Sequence, residues 1–245
     1  MTSTAIASDE GARDAWKRAA AERATEWLRP GMVVGLGAGS TARFALRRIS
    51  ALLERGELSD IVAVPCSREV EAFAARAGIP LTTLEDHASV DMTIDGADEV
   101  EPTSLALIKG GGGALLQEKI VAQASRREVI IVDATKPSDI LGTQRLLPVE
   151  VVAFGWRSQA AYVESLGAQV RVRTGSTGTP FRSDQGNLIL DCAFGPIHEP
   201  RALARALSER AGIVEHGLFI GLATDVLIAG SDGIRHLSRA GERAP

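Results

Sequence analysis

Thiols and imidazoles are scarce: the chain has two cysteines and four histidines in 245 residues. Cys66 and Cys192 stand far apart without a CxxC spacing, and His87, His198, His216 and His236 are scattered, so there is neither a zinc-ligand cluster nor a disulfide framework. Positive charge is not in excess either. With 27 Lys and Arg against 31 Asp and Glu the net charge is −4, and the pI is near 5.7. That balance argues against sequence-independent nucleic-acid binding, which needs a basic surface, and requires any anionic ligand to be held locally. No apolar run reaches membrane-spanning length, and the opening MTSTAIASDE lacks the basic start and apolar core of a secretory signal. The expected setting is the cytoplasm, with no membrane and no nucleic-acid partner. No internal repeat or low-complexity segment is visible. What remains is an ordinary globular composition, 45% hydrophobic and 24% charged.

Against that background the run Lys109, Gly110, Gly111, Gly112, Gly113 stands out. Consecutive glycines cost conformational entropy, which a folded chain tolerates where backbone must approach something closely. A helical pattern beginning near Ala114 aims backbone N–H groups and the positive end of its dipole into the space that Lys109 also faces, which suits a phosphate. Taken alone, the run also fits a flexible surface loop or a plain helix start.

Along the chain, helical and apolar-strand patterns alternate. Helix 9–29 is closed by Pro30-Gly31 and followed by the strand pattern of GMVVGLG. Helix 41–55 leads to strand 61–65, helix 67–77 to a short strand near 80–83, and then come strand 90–95, strand 105–108, helix 114–126 and strand 129–133. This order predicts an α/β fold with a Rossmann-like, largely parallel, doubly wound sheet. From about 145 the texture becomes strand, helix, strand, strand, helix, strand, the order of a split βαβ, ferredoxin-like α+β domain. The apolar run TDVLIAG is expected to return to the first sheet, so the small domain, 145–220, is read as an insertion between 1–144 and 221–245.

In such sheets ligands bind beyond the carboxyl ends of the strands. Residues 37–41, Cys66 with Ser67, residues 95–98, residues 109–113 and residues 133–136 all fall at those ends. Gly37 to Ala42 satisfies GxGxxA, yet the next strand ends in Pro65, Cys66 and Ser67 without the acidic residue that a dinucleotide ribose requires, so NAD binding loses its second support. Ser40 and Thr41 offer hydroxyls to a small phosphate, and equally to capping the helix. Asp95 and Asp98 flank Gly96 and Ala97 in what is either a simple turn or an acid/base pair beside an anion loop. Glu118 lies one turn into the helix after the glycines with no cation three or four residues away, so the usual intrahelical ion pair is missing. Lys136 follows strand 129–133 as a ligand-facing or a surface lysine. Residues 174–180 look like a second phosphate loop, but a strand follows, which makes a hairpin loop the better reading.

Together GLGAGSTARF, DGADEVE, LIKGGGGALLQEKIV, VDATK, PVEVVAFG, DQGNLILD and GLFIGLATDVLIAG resemble ribose-5-phosphate isomerases of the A type, in order and over nearly the whole chain. The resemblance implies interconversion of ribose 5-phosphate and ribulose 5-phosphate in the pentose phosphate pathway, no metal and no cofactor, and a homodimer or homotetramer. It implies Glu118 as the catalytic glutamate, with Asp95, Asp98 and Lys109 in supporting catalytic roles. The implied substrate loops are Ala38, Gly39, Ser40 and Thr41; Asp95, Gly96, Ala97 and Asp98; and Lys109, Gly110, Gly111 and Gly112, with Lys136 as a later contact. Two departures stand out: GAGST replaces the usual GTGST, so Ala38 offers only backbone, and Cys66 precedes Ser67 where a hydroxyl pair is more usual. Competing readings are a non-catalytic sugar-phosphate sensor, an isomerase or deaminase for another phosphosugar, and, more distantly, an NAD dehydrogenase. Retention of Glu118 speaks against the sensor.

Overall fold

The computed structural model describes residues 3–239. In chain order its elements are α1 (Ser3–Thr25), β1 (Val33–Leu36), α2 (Gly39–Glu54), β2 (Val62–Pro65), α3 (Arg68–Arg76), β3 (Met92–Asp95), β4 (Glu99–Glu101), β5 (Ala106–Ile108), α4 (Leu115–Ala124) and β6 (Glu128–Asp133). There follow β7 (Leu147–Val151), α5 (Trp156–Ser165), β8 (Gln169–Val172), β9 (Leu188–Ala193), α6 (Pro200–Ser208), β10 (Ile213–His216), β11 (Leu218–Phe219), β12 (Asp225–Gly230) and β13 (Gly233–Ser238). Spatial grouping gives two compact units, one of Met1–Gly96, Val121–Lys136 and Ala223–Pro245, the other of Ala97–Ile120 and Pro137–Leu222.

The first unit is built on a six-stranded sheet in the order β13-β12-β6-β3-β1-β2. Every neighbouring pair is parallel except the β12–β13 hairpin. The central strands β3 and β6 are buried along their whole length and β12 at all but its last residue, as expected of strands covered on both faces. Val34, Leu36, Ile94, Val129, Ile131 and Leu227 join Ala20, Ala45 and Ile49 of the helices in one core. Helix α3 has well-formed ends: Ser67 caps it by accepting from Val70 N–H at 3.1 Å, Glu69 and Glu71 occupy its first turn and Arg76 its last.

The second unit holds an antiparallel sheet in the order β10-β7-β9-β8, joined through α5 and α6 in the βαββαβ succession. This is the ferredoxin-like arrangement that the sequence led us to expect. A further three-stranded sheet, β11-β5-β4, is antiparallel throughout.

Several local expectations are corrected. The strand LALI becomes β5, which pairs with β4 and β11 and takes no part in the parallel sheet. The stretch 80–83 is reduced to one bridge between Leu81 and Ala63. The run GIVEHGLFI is not one strand: it divides at Gly217 into β10 and β11, which belong to different sheets. A Cβ on Gly217 would lie 2.3 Å from the Lys109 carbonyl oxygen, so the chain turns there where a side chain has no room. The expected division of 1–144 with 221–245 against 145–220 follows the change of texture along the chain. Spatial grouping instead assigns 97–120 and 137–144 to the second unit. Antiparallel pairing of β5 with β11 and a bridge between Val100 and Pro137 hold those segments together.

Candidate active site

In the first unit, β6, β3 and β1 are adjacent and parallel, so residues 133–136, Asp95 with Gly96, and residues 37–41 leave the same edge of the sheet. Asp95 is 1% exposed. Its Oδ1 accepts the Ala38 N–H at 3.0 Å and the Gly96 N–H at 2.7 Å. This contact also explains Gly37: a Cβ there would stand 2.1 Å from the same Oδ1. Helix α2 starts at Gly39 with Ala38 as its N-cap and no side-chain cap, so Ser40 and Thr41 do not serve the capping role that the sequence left open. Ser40 is exposed in the first turn and Thr41 is buried. Gly39, Ala38 and Gly37 line a shallow cleft with Arg43, which pairs with Glu69 on α3. Lys136 is half-buried just past β6, its N–H donating to the Asp133 carbonyl at 3.1 Å. Cys66 is a member of the apolar core, 1% exposed.

In the second unit the tetraglycine run leaves β5 and turns into α4. Gly110 and Gly113 have φ of +97° and +85°, the left-handed region that only glycine enters without strain. Space is short as well, since a Cβ on Gly113 would meet the Phe181 ring at 2.4 Å. Gly111 N–H donates to Asp98 Oδ2 at 2.7 Å, so the loop and the second aspartate of DGAD form one local structure. Nothing lies within 4 Å of a Cβ built on Gly112.

Glu118 sits in the first turn of α4 and is buried, at 6% exposure, as is Lys109, at 2%. Lys109 Nζ donates to Glu118 Oε1 at 3.2 Å. The cation absent at helical spacing is therefore supplied from nine residues upstream by the fold of the loop. Burying this pair costs desolvation of both charges, an expense that apolar residues would avoid and that points to a use for the charges themselves. The next residue, Lys119, is buried too and donates to Glu215 Oε1 at 2.5 Å and to the His216 carbonyl at 2.6 Å. Burial lowers the Lys119 pKa and the Glu215 carboxylate opposes that shift. His216 is pushed down to about 4, by burial first and by the Lys119 cation second. Leu218 N–H donates to its Nδ1, which identifies a neutral ring with the proton on Nε2, facing Ser208 Oγ. The Phe219 ring has Lys109 Nζ 5.5 Å and Lys119 Nζ 4.9 Å from its centroid.

Within the second unit the structure thus brings Asp98, Lys109, Gly110, Gly111, Gly112 and Glu118 together, with Ala97 half-buried beside Asp98. Within the first it gathers Ala38, Gly39, Ser40, Thr41, Asp95 and Gly96. Sequence reasoning missed Arg173, whose Nη1 donates to the carbonyls of Gly110 and Gly111 at 2.9 Å each. It also missed Asp191, Glu215, His216 and Phe219. Their chemistry depends on partners far along the chain, and no local spacing signals them. The loop 174–180 is the hairpin loop expected of it, closed by a bridge between Thr174 and Pro180.

Comparison with known proteins places this arrangement. Residues 62–233 match the family model "Ribose 5-phosphate isomerase A (phosphoriboisomerase A)". The ribose-5-phosphate isomerase A of Chloroflexus aurantiacus is 60% identical over 222 residues, 91% of this chain and 92% of that protein. The protein of the same name from Desulfatibacillum aliphaticivorans is 54% identical over 228 residues, covering 93% and 99%. Among solved structures, a D-ribose-5-phosphate isomerase in complex with phospho-erythronic acid superposes with a TM-score of 0.90 at 34% identity, covering 93% of this chain and 99% of that one. The ribose 5-phosphate isomerase of Plasmodium falciparum gives 0.89 at 36% identity with the same coverage.

Proposed function

The chain belongs to the ribose 5-phosphate isomerase A family and interconverts D-ribose 5-phosphate and D-ribulose 5-phosphate; from that premise we propose that Glu118 moves the hydrogen between C1 and C2. In the open-chain aldose the carboxylate takes the proton from C2, the C1 carbonyl becomes the oxyanion of an enediolate, and Glu118 returns the proton to C1 as the carbonyl re-forms at C2. One carboxylate serves both halves, and a positioned acid/base of this kind contributes on the order of a hundred to ten thousandfold. The observation that carries the reading is the buried 3.2 Å pair between Lys109 Nζ and Glu118 Oε1 at the mouth of the glycine loop. A lysine there favours the ionised carboxylate that must act as base, and it supplies positive charge for the enediolate oxygen. The amide of Gly112 is the further donor to that oxygen.

Asp95 and Asp98 are assigned to ring opening and to proton movement between O1 and O2. Ser40 and Thr41, with the backbone of Ala38, Gly39, Gly96, Ala97 and Gly110, and the Lys136 ammonium complete the substrate contacts. Phospho-erythronic acid, with which the solved relative is in complex, is a phosphorylated sugar acid and is expected to compete with substrate here. A homodimer or homotetramer working in the cytoplasm belongs to the same reading; Phe154, 93% exposed, offers an apolar contact for a second copy. Among the described residues no helix is long and apolar enough to cross a membrane.

The test is Glu118→Gln in a coupled assay of ribulose 5-phosphate formation with EDTA present, run in deuterated water. The wild type should turn over in EDTA and incorporate solvent deuterium, whereas the variant should lose at least about a hundredfold in kcat with KM nearly unchanged. Near-normal turnover by the variant removes Glu118 from the mechanism.

A further inference from the structure

The glycine loop closes one turn of its own, the Gly113 N–H donating to the Gly110 carbonyl at 2.9 Å, and is held further from outside. Its first two carbonyls, those of Gly110 and Gly111, both accept from a single nitrogen, Arg173 Nη1, at 2.9 Å. The remaining edge of the guanidinium is taken up by Asp191 on β9, with Nε 3.1 Å from Oδ2 and Nη2 on Oδ1. Arg173 is the first residue beyond β8, where its own N–H joins the Ile189 carbonyl and its carbonyl takes the Phe181 N–H. Its side chain is 14% exposed, and the guanidinium carbon stands 6.0 Å from the centroid of the Phe181 ring that closes off Gly113. The side chain is therefore fixed from three sides before it touches the loop.

The consequence follows from peptide geometry. In a planar trans peptide the C=O and the N–H of the next residue point in opposite directions. Turning the Gly110 carbonyl toward Arg173 turns the Gly111 N–H away from it, and that N–H is found on Asp98 Oδ2 at 2.7 Å. Turning the Gly111 carbonyl toward Arg173 likewise sends the Gly112 N–H to the side away from Arg173, where Gly112 borders open space. Two successive amides are thereby aimed to one side by one cation that sits on the other. Among L-residue chains a glycine-rich stretch has the least intrinsic preference for any such arrangement, so an external clamp adds to the Gly113–Gly110 turn and the Asp98 contact in preorganising it.

We propose that Arg173 is a positioning residue for the isomerisation: it sets the Gly110 and Gly111 peptide planes, the first placing the Gly111 N–H on Asp98 and the second turning the Gly112 N–H to meet the negative charge that develops on the enediolate oxygen. This rests on the enediolate reading above. Lysine cannot substitute, because one ammonium lacks the planar fork that spans two carbonyls and a carboxylate together.

The experiment compares Arg173→Ala, Arg173→Lys and Asp191→Asn by kcat, KM, thermal midpoint and rescue with methylguanidinium. Asp191→Asn breaks the ion pair but leaves an acceptor for Arg173 and the clamp on the carbonyls. Arg173→Ala should lose about tenfold or more in kcat with KM changed less than about threefold, and Arg173→Lys should resemble it. Asp191→Asn should keep turnover within about threefold while losing a comparable amount of thermal stability. Millimolar methylguanidinium should recover part of the Arg173→Ala rate and none for Asp191→Asn. Equal losses of turnover in the Ala and Asn variants, a rise in KM alone, or no loss at all would each overturn the proposal. Glu118→Gln assayed in parallel separates the two readings. If it stays active, the enediolate reading fails; if it is inactive while Arg173→Ala is not, only the role of Arg173 fails.

Discussion

The glycine-bearing turns at 37–41 and 110–113 each lead into a helix, and they are built on different principles. The turn at 37–41 in the first unit is a backbone construction: Ala38 is an N-cap without a side-chain bond, and the one carboxylate engaged, Asp95, spends an oxygen on the Ala38 and Gly96 amides. The turn at 110–113 in the second unit has charged side chains beneath and behind it, with the Lys109–Glu118 pair on one side and Arg173 holding its carbonyls. Both satisfy the rule that a glycine-rich turn before a helix welcomes an anion. The second adds to its carboxylates a buried lysine paired with Glu118, whereas at the first the Asp95 carboxylate has one oxygen on backbone amides. Glycine marks where an anion can approach, while buried side chains decide whether anything happens to it.

That contrast breaks most readily at Lys109. Lys109→Met should lower kcat by roughly a hundred to a thousandfold, the range for one preorganised donor, whereas Ser40→Ala in the other turn should act chiefly on KM. Steady-state kinetics on the two variants is the check, and equal effects on kcat would erase the distinction. The two turns should also differ in stability. Gly113→Ala forces a Cβ to 2.4 Å from the Phe181 ring at φ of +85°, and a loss of about 3 kcal/mol in urea denaturation is expected. Gly39→Ala has φ of +93° but no atom within 4 Å, so only the backbone penalty of about 1–2 kcal/mol should appear. Lys136→Ala sharpens the picture of the first unit: KM should rise about tenfold with kcat held, as for a ground-state phosphate contact, and a pure fall in kcat would move Lys136 to the reacting carbons.

The last prediction concerns His216 and pH. Its folded-state pKa is depressed to about 4 from the ordinary 6.5. Between those values the unfolded chain binds a proton that the native one does not, so stability is complete above pH 6.5 and is lost as pH falls toward 4. Thermal midpoints should decline across that window by the equivalent of about 1 kcal/mol per pH unit, and His216→Gln should flatten the slope. An unchanged slope in the variant would assign the loss to other groups.

Much of the fold was legible because it rests on local pattern. The runs GMVVGLG, 90–95, 129–133 and 224–230 read as strands, and their succession with helices implies the parallel sheet that β1, β3, β6 and β12 form. The failures share a cause. LALI is as apolar as any of those runs, and nothing within three or four residues says that its partners are β4 and β11. β13 is an exposed, polar edge strand, IRHLS between turns, which carries no burial signal to read. At the candidate site, what was legible is placement: Asp95, Asp98 and Lys109 at or just beyond strand ends and Glu118 in the first turn of the helix after the glycines. Arg173 was not, since its significance lies in two carbonyls some sixty residues earlier that no side-chain pattern records.

Gly217 makes the same dependence visible from the opposite direction. Its carbonyl accepts the Lys109 N–H at 2.9 Å, its own N–H is held by Pro148, and a methyl group there would collide with the Lys109 oxygen at 2.3 Å. A residue with no functional group of its own thus dictates where the ammonium before the glycines begins its reach. A lesion at that silent position would surface in the kinetics as though the lysine had been altered, and the main chain would be the messenger.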